Sequence, residues 1–278
     1  MKKFLSLAVA IGVCIGANAQ FTQKLKDLDI CNHLGAAVGV GTTGITIDLG
    51  TTITPWVQLR AGVDIMPEFK LNTTFGLTEY DNSSFDASYP RPQTTDIDAQ
   101  GKLINTTGHF LFDVFPITHL TSVHITVGGY FGGSRLIKAY NTNGFEDLKD
   151  VYLYNHRDVI TQNNPYAGVP MSQGRIGAEL GDYFIEPDAD GQVNASIKVW
   201  KFRPYVGIGF GRIVPKSRFN CLFDLGVQFW GSPQVWNDTD HQRLTESGMN
   251  GSDGGAIKLI SKIGVYPVLS VKFVGKIL

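Results

Sequence analysis

Apolar and polar residues alternate along this chain with a period of two, in runs separated by polar stretches. That period belongs to strands, whose successive side chains point to opposite faces. The clearest run covers Arg203 to Trp230. Val206, Ile208 and Phe210 share one face, while Tyr205, Gly207, Gly209 and Gly211 share the other. After a polar bend at Val214-Pro215-Lys216-Ser217, Phe219, Cys221, Phe223, Leu225, Val227 and Phe229 form an apolar face opposite Asn220, Leu222, Asp224, Gly226 and Gln228. One apolar face and one small or polar face, at this length, predict a transmembrane β-hairpin. Trp230 and Tyr205 are expected to mark its periplasmic end and the Pro215 bend its outer end.

The same alternation recurs upstream. His33–Val40 and Ile45–Thr51 flank a bend at Gly41–Gly44, as two short strands or one kinked strand. Trp56–Ile65 sets Val57, Leu59, Ala61, Val63 and Ile65 against Gln58, Arg60, Gly62 and Asp64. About ten residues of alternation suffice to cross a bilayer at a tilt. Further runs lie at 108–115, 122–131, 195–200 and 265–278, with a weaker one at 175–180. Residues 67–105 and 139–192 read as long polar loops, and 256–263 as a short helix. Short connections are expected at 54–55, 116–121 and 201–204.

Short turns alternating with long loops predict an all-β fold: an antiparallel transmembrane β-barrel of about 8–10 strands with two long extracellular loops. Strand parity then assigns Asp48, Arg60, Asp64, Asp113, His124, Lys198, Asp224, Gln228 and Lys272 to the lumen. Asp48 and Arg60 lie on facing strands of one hairpin and are expected to pair. Mixed charges inside fit either a water-filled channel or a plug of paired side chains in a narrow barrel. Trp56, Phe115, Trp200, Tyr205 and Trp230 fall beside the expected short turns, where an interfacial aromatic belt would sit.

Composition narrows the picture. Met1-Lys2-Lys3, the apolar Phe4–Ile15 and Ala17-Asn18-Ala19 form a signal peptide over 1–19, leaving 20–278 as the barrel domain. A lipoprotein anchor at Cys14 is the rival, opposed by bulky Val13 before it. Beyond the leader no run approaches about 18 apolar residues, so no transmembrane helix is expected. A net charge of −1 argues against a nucleic-acid partner. Cys221 lies on an apolar face and reads as a small hydrophobe rather than the partner of Cys31.

The leader, the amphipathic strands and the patches Pro204–Gly211, Phe223–Pro233 and Tyr266–Ser270 together resemble the porin-like outer-membrane β-barrel proteins of Gram-negative bacteria. The resemblance implies an outer-membrane location, insertion in the lipid bilayer, and handling by the barrel-assembly machinery. Family members usually finish on an aromatic residue; here the last aromatic is Phe273 and the chain runs on to Leu278.

The expected function is a small porin-like channel or a structural barrel whose external loops meet small solutes or partners. An adhesion barrel without conductance and a lipid-modifying enzyme are the alternatives. An enzyme would need a nucleophile, a base and an orienting acid converging at one rim. His109 and Asp113 share a strand face with His124 on the next strand, but no serine is placed beside them, so neither catalytic residue nor cofactor is expected. Gly207-x-Gly209-x-Gly211 is not a phosphate loop, because no helix follows; its glycines make room for bulky neighbours. Asp188-Ala189-Asp190-Gly191 lacks the remaining ligands of a calcium loop, so no metal is expected.

Overall fold

The structure, a computed structural model, describes residues 33–80, 86–93, 96–103, 105–116, 122–180, 183–244 and 264–277. The leader, Cys14, Cys31 and the helix expected over 256–263 lie outside these residues. In chain order the elements are β1 (Leu34–Gly41), β2 (Gly44–Thr54), β3 (Val57–Ile65), β4 (Phe69–Phe75), β5 (Leu77–Tyr80), β6 (Ile97–Leu103), β7 (Thr106–Val114), β8 (Val123–Gly132) and β9 (Arg135–Asn141). Then follow α1 (Phe145–Asn155), β10 (Arg175–Leu180), β11 (Tyr183–Ile185), β12 (Asn194–Lys198), β13 (Phe202–Phe210), β14 (Phe219–Phe229), β15 (Gln234–Asn237), β16 (Gln242–Arg243) and β17 (Val265–Lys276).

Eight strands close an antiparallel barrel in the order β1-β17-β14-β13-β8-β7-β3-β2. The bend at Gly41–Gly44 is a hairpin turn, so β1 and β2 are separate strands. Gly44 there takes φ +104°, a conformation that favours glycine. Closure brings β1 onto β17, with Val38 opposite Phe273. Closing the sheet on itself removes the edge strands that an open sheet would expose.

The outside of the barrel is apolar. Val38, Val40, Ile47, Leu49, Ile208, Phe210, Leu225, Leu269 and Phe273 are all exposed. Cys221 is a free thiol on this apolar-facing parity and is half-buried. A continuous apolar surface of this extent is not left to water in a soluble monomer. Among the described residues no helix is long and apolar enough to cross a membrane.

Two expectations about the ends are corrected. The bend holding Pro215 lies at the same end as the start of β1 and the end of β17, whereas Tyr205 and Trp230 lie toward the opposite end. The connections at the first end join β2 to β3, β7 to β8 and β13 to β14; residues 199–201 are instead a bend between β12 and β13 at the far end.

The long polar segments are folded too. A six-stranded sheet runs β16-β15-β12-β9-β6-β4. Each of β15, β12, β9, β6 and β4 adjoins in sequence the barrel strand β14, β13, β8, β7 and β3, and the order of the two series is the same. The sheet therefore continues the barrel wall beyond one end. The strand expected at 175–180 exists as β10, but it joins a three-stranded sheet β11-β10-β5 outside the barrel.

These outer elements have their own core. Phe75, Ile97, Ala99 and Ala195 of the wall pack with Leu148 of α1, Ala178 of β10, Ile185 of β11 and Val193. On the same side Leu103 and Ile137 pack against Leu136, Val199 and Trp230 together with Tyr266. Tyr266 in turn reaches the interior cluster of Leu111, Tyr130, Tyr205 and Val268. That side of the wall thus continues the barrel interior, and α1 with the three-stranded sheet forms a cap on it. Arg157 ties the cap together by donating to the carbonyls of Tyr154 (2.6 Å), Pro170 (2.8 Å), Gly174 (2.9 Å) and Val169 (3.0 Å). Burial pushes its guanidinium below the usual arginine range.

Candidate functional site

The barrel interior holds the densest chemistry. Asp48, Asp64, Asp113, Asp224, Arg60, Lys272, His109 and His124 are each at most 4% exposed. Arg60 starts on β3 and crosses to β14. Its Nη1 donates to Asp224 Oδ2 at 2.6 Å and its Nη2 to Asp224 Oδ1 at 2.8 Å. Nη2 also lies 3.1 Å from Asp113 Oδ1 on neighbouring β7. A bidentate arginine–carboxylate pair fixes both position and plane. Thr126 donates to Asp113 at 2.7 Å, and His124 Nε2 stands 3.3 Å from Asp224 Oδ1.

A second group adjoins the first. Lys272 Nζ donates to Asp48 Oδ2 at 2.6 Å and lies 3.6 Å from Asp224. His109 is held between two carboxylates, with Nε2 2.7 Å from Asp48 and Nδ1 2.7 Å from Asp64. A carboxylate only accepts, and a neutral imidazole has one N–H. Both ring nitrogens of His109 are therefore engaged, one by Asp48 of β2 and one by Asp64 of β3. Thr43 and Thr46 donate to the remaining oxygen of Asp64.

Sequence glycines make this packing possible. A Cβ on Gly62 would stand 2.1 Å from Asp48 Oδ1 and 2.8 Å from His109 Nε2. A Cβ on Gly209 would meet His124, and one on Gly207 or Gly226 would meet the Tyr205 hydroxyl. The space those residues lack is filled by charged and aromatic side chains from across the barrel.

Apolar groups fill the ends. Near the chain termini Ile213 and Val214 turn inward against Ala37, Leu222 and Val274. The Gln58 amide holds the Val214 backbone, accepting from its N–H and donating to its carbonyl, each at 3.4 Å. Arg212 lies over the Phe115 ring, 4.0 Å from its centroid. Toward the cap, Tyr130 and Tyr205 meet edge to face at 5.4 Å, and Trp230 stacks on Tyr266 at 4.5 Å.

Of the residues assigned to the lumen by parity, Asp48, Arg60, Asp64, Asp113, His124, Asp224, Gln228 and Lys272 are brought together inside. Lys198 is not. It lies on β12 in the outer wall, with Nζ 4.0 Å from the centroid of Trp236. The expected Asp48–Arg60 pair is also corrected. The β2–β3 register sets Asp48 opposite Gly62 and Arg60 opposite Gly50, so each charge meets a glycine across the hairpin and finds its partner elsewhere.

The proposed aromatic belt does not form as drawn. Phe115, Tyr205 and Trp230 are buried inside at 1%, 4% and 6% exposure. Trp56 and Trp200 are exposed, but at opposite ends of the barrel. His109, Tyr130 and the inward Ile213–Val214 plug are further interior residues beyond those expected from the sequence. His109 shares the parity of Asp113, which was the signal available for it. The turn Asp188–Gly191 is a self-contained bend: Asp188 Oδ1 accepts from the backbone N–H groups of Asp190 and Gln192.

The chain is thus a closed eight-stranded antiparallel β-barrel with a charge-paired interior and a folded outer wall. No protein-family model matches it. No curated protein matches it either. Among solved structures, the crystal structure of Acinetobacter baumannii CarO2 is similar at 16% identity and a TM-score of 0.46, covering 88% of this chain and 98% of that one. A second, of Acinetobacter baumannii CarO, aligns at 15% identity and a TM-score of 0.41, covering 87% and 96%. The architecture described above stands on the strand register of the chain itself.

Proposed function

We propose that the protein is an outer-membrane β-barrel that is closed to solutes and serves to anchor and display its outer wall and cap. The membrane location is supported by the apolar outer surface of the barrel joined to a polar interior rich in ion pairs, an arrangement that suits a bilayer. The closed state is supported above all by Arg60, which spans the barrel to Asp224 at 0% exposure. Eight-stranded barrels are just wide enough for side chains to fill. The wall and cap, on the side away from the chain termini, form the external face. Both termini of such barrels are periplasmic.

The enzyme reading lacks support in the geometry. His109 and His124 are engaged by carboxylates deep inside, not at a rim. Cell fractionation combined with gel mobility of boiled and unboiled samples tests the location: the protein should partition with outer membranes and change mobility on heating. Swelling of proteoliposomes in small sugars tests closure, and the rate should equal that of empty liposomes. A soluble periplasmic protein, or swelling at porin-like rates, would overturn the respective part.

A further inference from the structure

We propose that the outward face of the outer wall binds the phosphate groups of the glycolipid that surrounds the barrel in the outer leaflet. The inference rests on the membrane reading above. The inward face of the wall is covered by the cap from Phe75 and Ile97 to Ala195 and carries Leu103 and Ile137 nearer the barrel, while Phe69 and Leu71 on the edge strand β4 stay exposed. Its other face carries the residues of opposite parity.

Strand register lines these up in one cross-strand row. Lys70 is opposite Lys102, and Lys102 is opposite Lys138. The row continues through Ser196 and Trp236 to Arg243. Like charges directly opposite one another in a sheet are destabilising, so three neighbouring lysines need a compensating anion. Glu68 answers one of them, 2.8 Å from Lys102. Nearer the barrel Lys198 stands opposite Arg135, which lies 3.6 Å from Asp238. Among the described residues of this face the cations Lys70, Lys102, Lys138, Arg135, Lys198 and Arg243 outnumber the acids Glu68, Asp98 and Asp238.

Height selects the occupant. Phe131 and Phe202 are paired, exposed aromatics at the cap-side edge of the apolar belt, with rings 5.1 Å apart. Arg135 and Lys198 each follow that pair by four residues in the outward direction. Four residues of strand at about 3.3 Å each, tilted by about 45°, rise roughly 9 Å. The polar zone of one leaflet is about 5–8 Å deep, so these side chains reach the headgroup phosphates. Lys102 and Lys70 lie four and five residues beyond the paired Thr106 and Ile65, at a similar height. Exposed Trp200 sits between Phe202 and Lys198, where an interfacial tryptophan belongs.

The test uses the full chain in vesicles of zwitterionic phospholipid doped with a bis-phosphorylated outer-leaflet glycolipid or with its dephosphorylated form. Flotation and heat-modifiable mobility report insertion and folding. Native mass spectrometry counts retained glycolipid. The wild type should retain the phosphorylated form at least about tenfold more than the dephosphorylated one, since each surface lysine contributes about fivefold. The triple variant Lys70→Gln, Lys102→Gln, Lys138→Gln should insert normally and lose most of that preference, while arginine at the three positions should keep it. Equal retention of the two glycolipids, or an inserted glutamine variant that binds like wild type, would overturn the proposal while leaving the barrel reading intact. A chain that does not float with vesicles would overturn both.

Discussion

Arg60 and Asp224 meet inside the barrel through two hydrogen bonds of 2.6 and 2.8 Å, from strands that are not neighbours in the sheet. A contact of this kind braces opposite walls and occupies the space a solute would need. Asp113 shares the same guanidinium at 3.1 Å. Arg60 is therefore the hub of one group of charges, as Asp48 is of the next.

Removing one member of a buried pair leaves the other uncompensated, which costs about 3–5 kcal/mol. Arg60→Ala should lose stability on that scale, read as a lower urea midpoint for the barrel in lipid or detergent. Replacing both Arg60 and Asp224 with Met and Leu should cost less than the sum of the single changes. Additive costs would show that the two residues are not energetically coupled.

His109 bridges Asp48 and Asp64 at 2.7 Å on both sides. His109→Ala opens a cavity and leaves Asp48 and Asp64 facing each other without the imidazole that bridges them. The expected loss is again about 3–5 kcal/mol, with no change in cellular lipid composition. Loss of a lipid modification without loss of stability would revive the enzyme reading.

Glycine positions inside and outside the barrel should behave oppositely. Gly62→Val places a side chain 2.1 Å from Asp48 Oδ1, within the packed network. We expect failure to reach the heat-modifiable folded form, or a cost above about 2 kcal/mol. Gly133 meets nothing within 4 Å, so Gly133→Ala should stay within about 0.5 kcal/mol. Limited effect at Gly62 would mean that the interior is looser than the contacts imply.

Arg157 donates to four backbone carbonyls of the cap, a pattern that needs the planar fork of arginine. Arg157→Lys keeps the charge and loses most of those bonds, at about 2–4 kcal/mol for the cap. Limited proteolysis should then cut within 145–193 while the barrel still shifts on heating. Uniform protection in the variant would place the stability of the cap elsewhere.

The barrel was legible because a period of two needs only local residues. Alternation in Val57–Ile65 and Phe219–Phe229 separates the outward and inward faces without any knowledge of neighbours. The same rule also placed Tyr205 with Gly207, Phe115 with Asp113, and Trp230 with Gln228. All three are inside, as parity requires. The aromatic belt fails at these positions because nearness to a turn does not override parity. The interior pairs were not legible, because the partners are far apart in sequence: Arg60 and Asp224 are separated by 164 residues. The strands β4 and β6 were hidden for a different reason. Phe75, Ile97 and Ala99 face the cap, but Asn72, Asp98, Gln100 and Lys102 on the other face give these segments the composition of a loop. Parity carries Lys198 into the lumen only if 201–204 is a hairpin turn. A bulge at Ile197/Lys198 and the bend after it instead leave β12 paired with β9 and β15.

The central claim is that paired side chains close the barrel. Single-channel recording in planar bilayers tests it most directly, on purified protein whose folding has been verified by heat-modifiable mobility. The account predicts a silent bilayer for the wild type, with no stepwise current over a broad voltage range. Reproducible unitary conductance steps from the folded wild-type protein would contradict it.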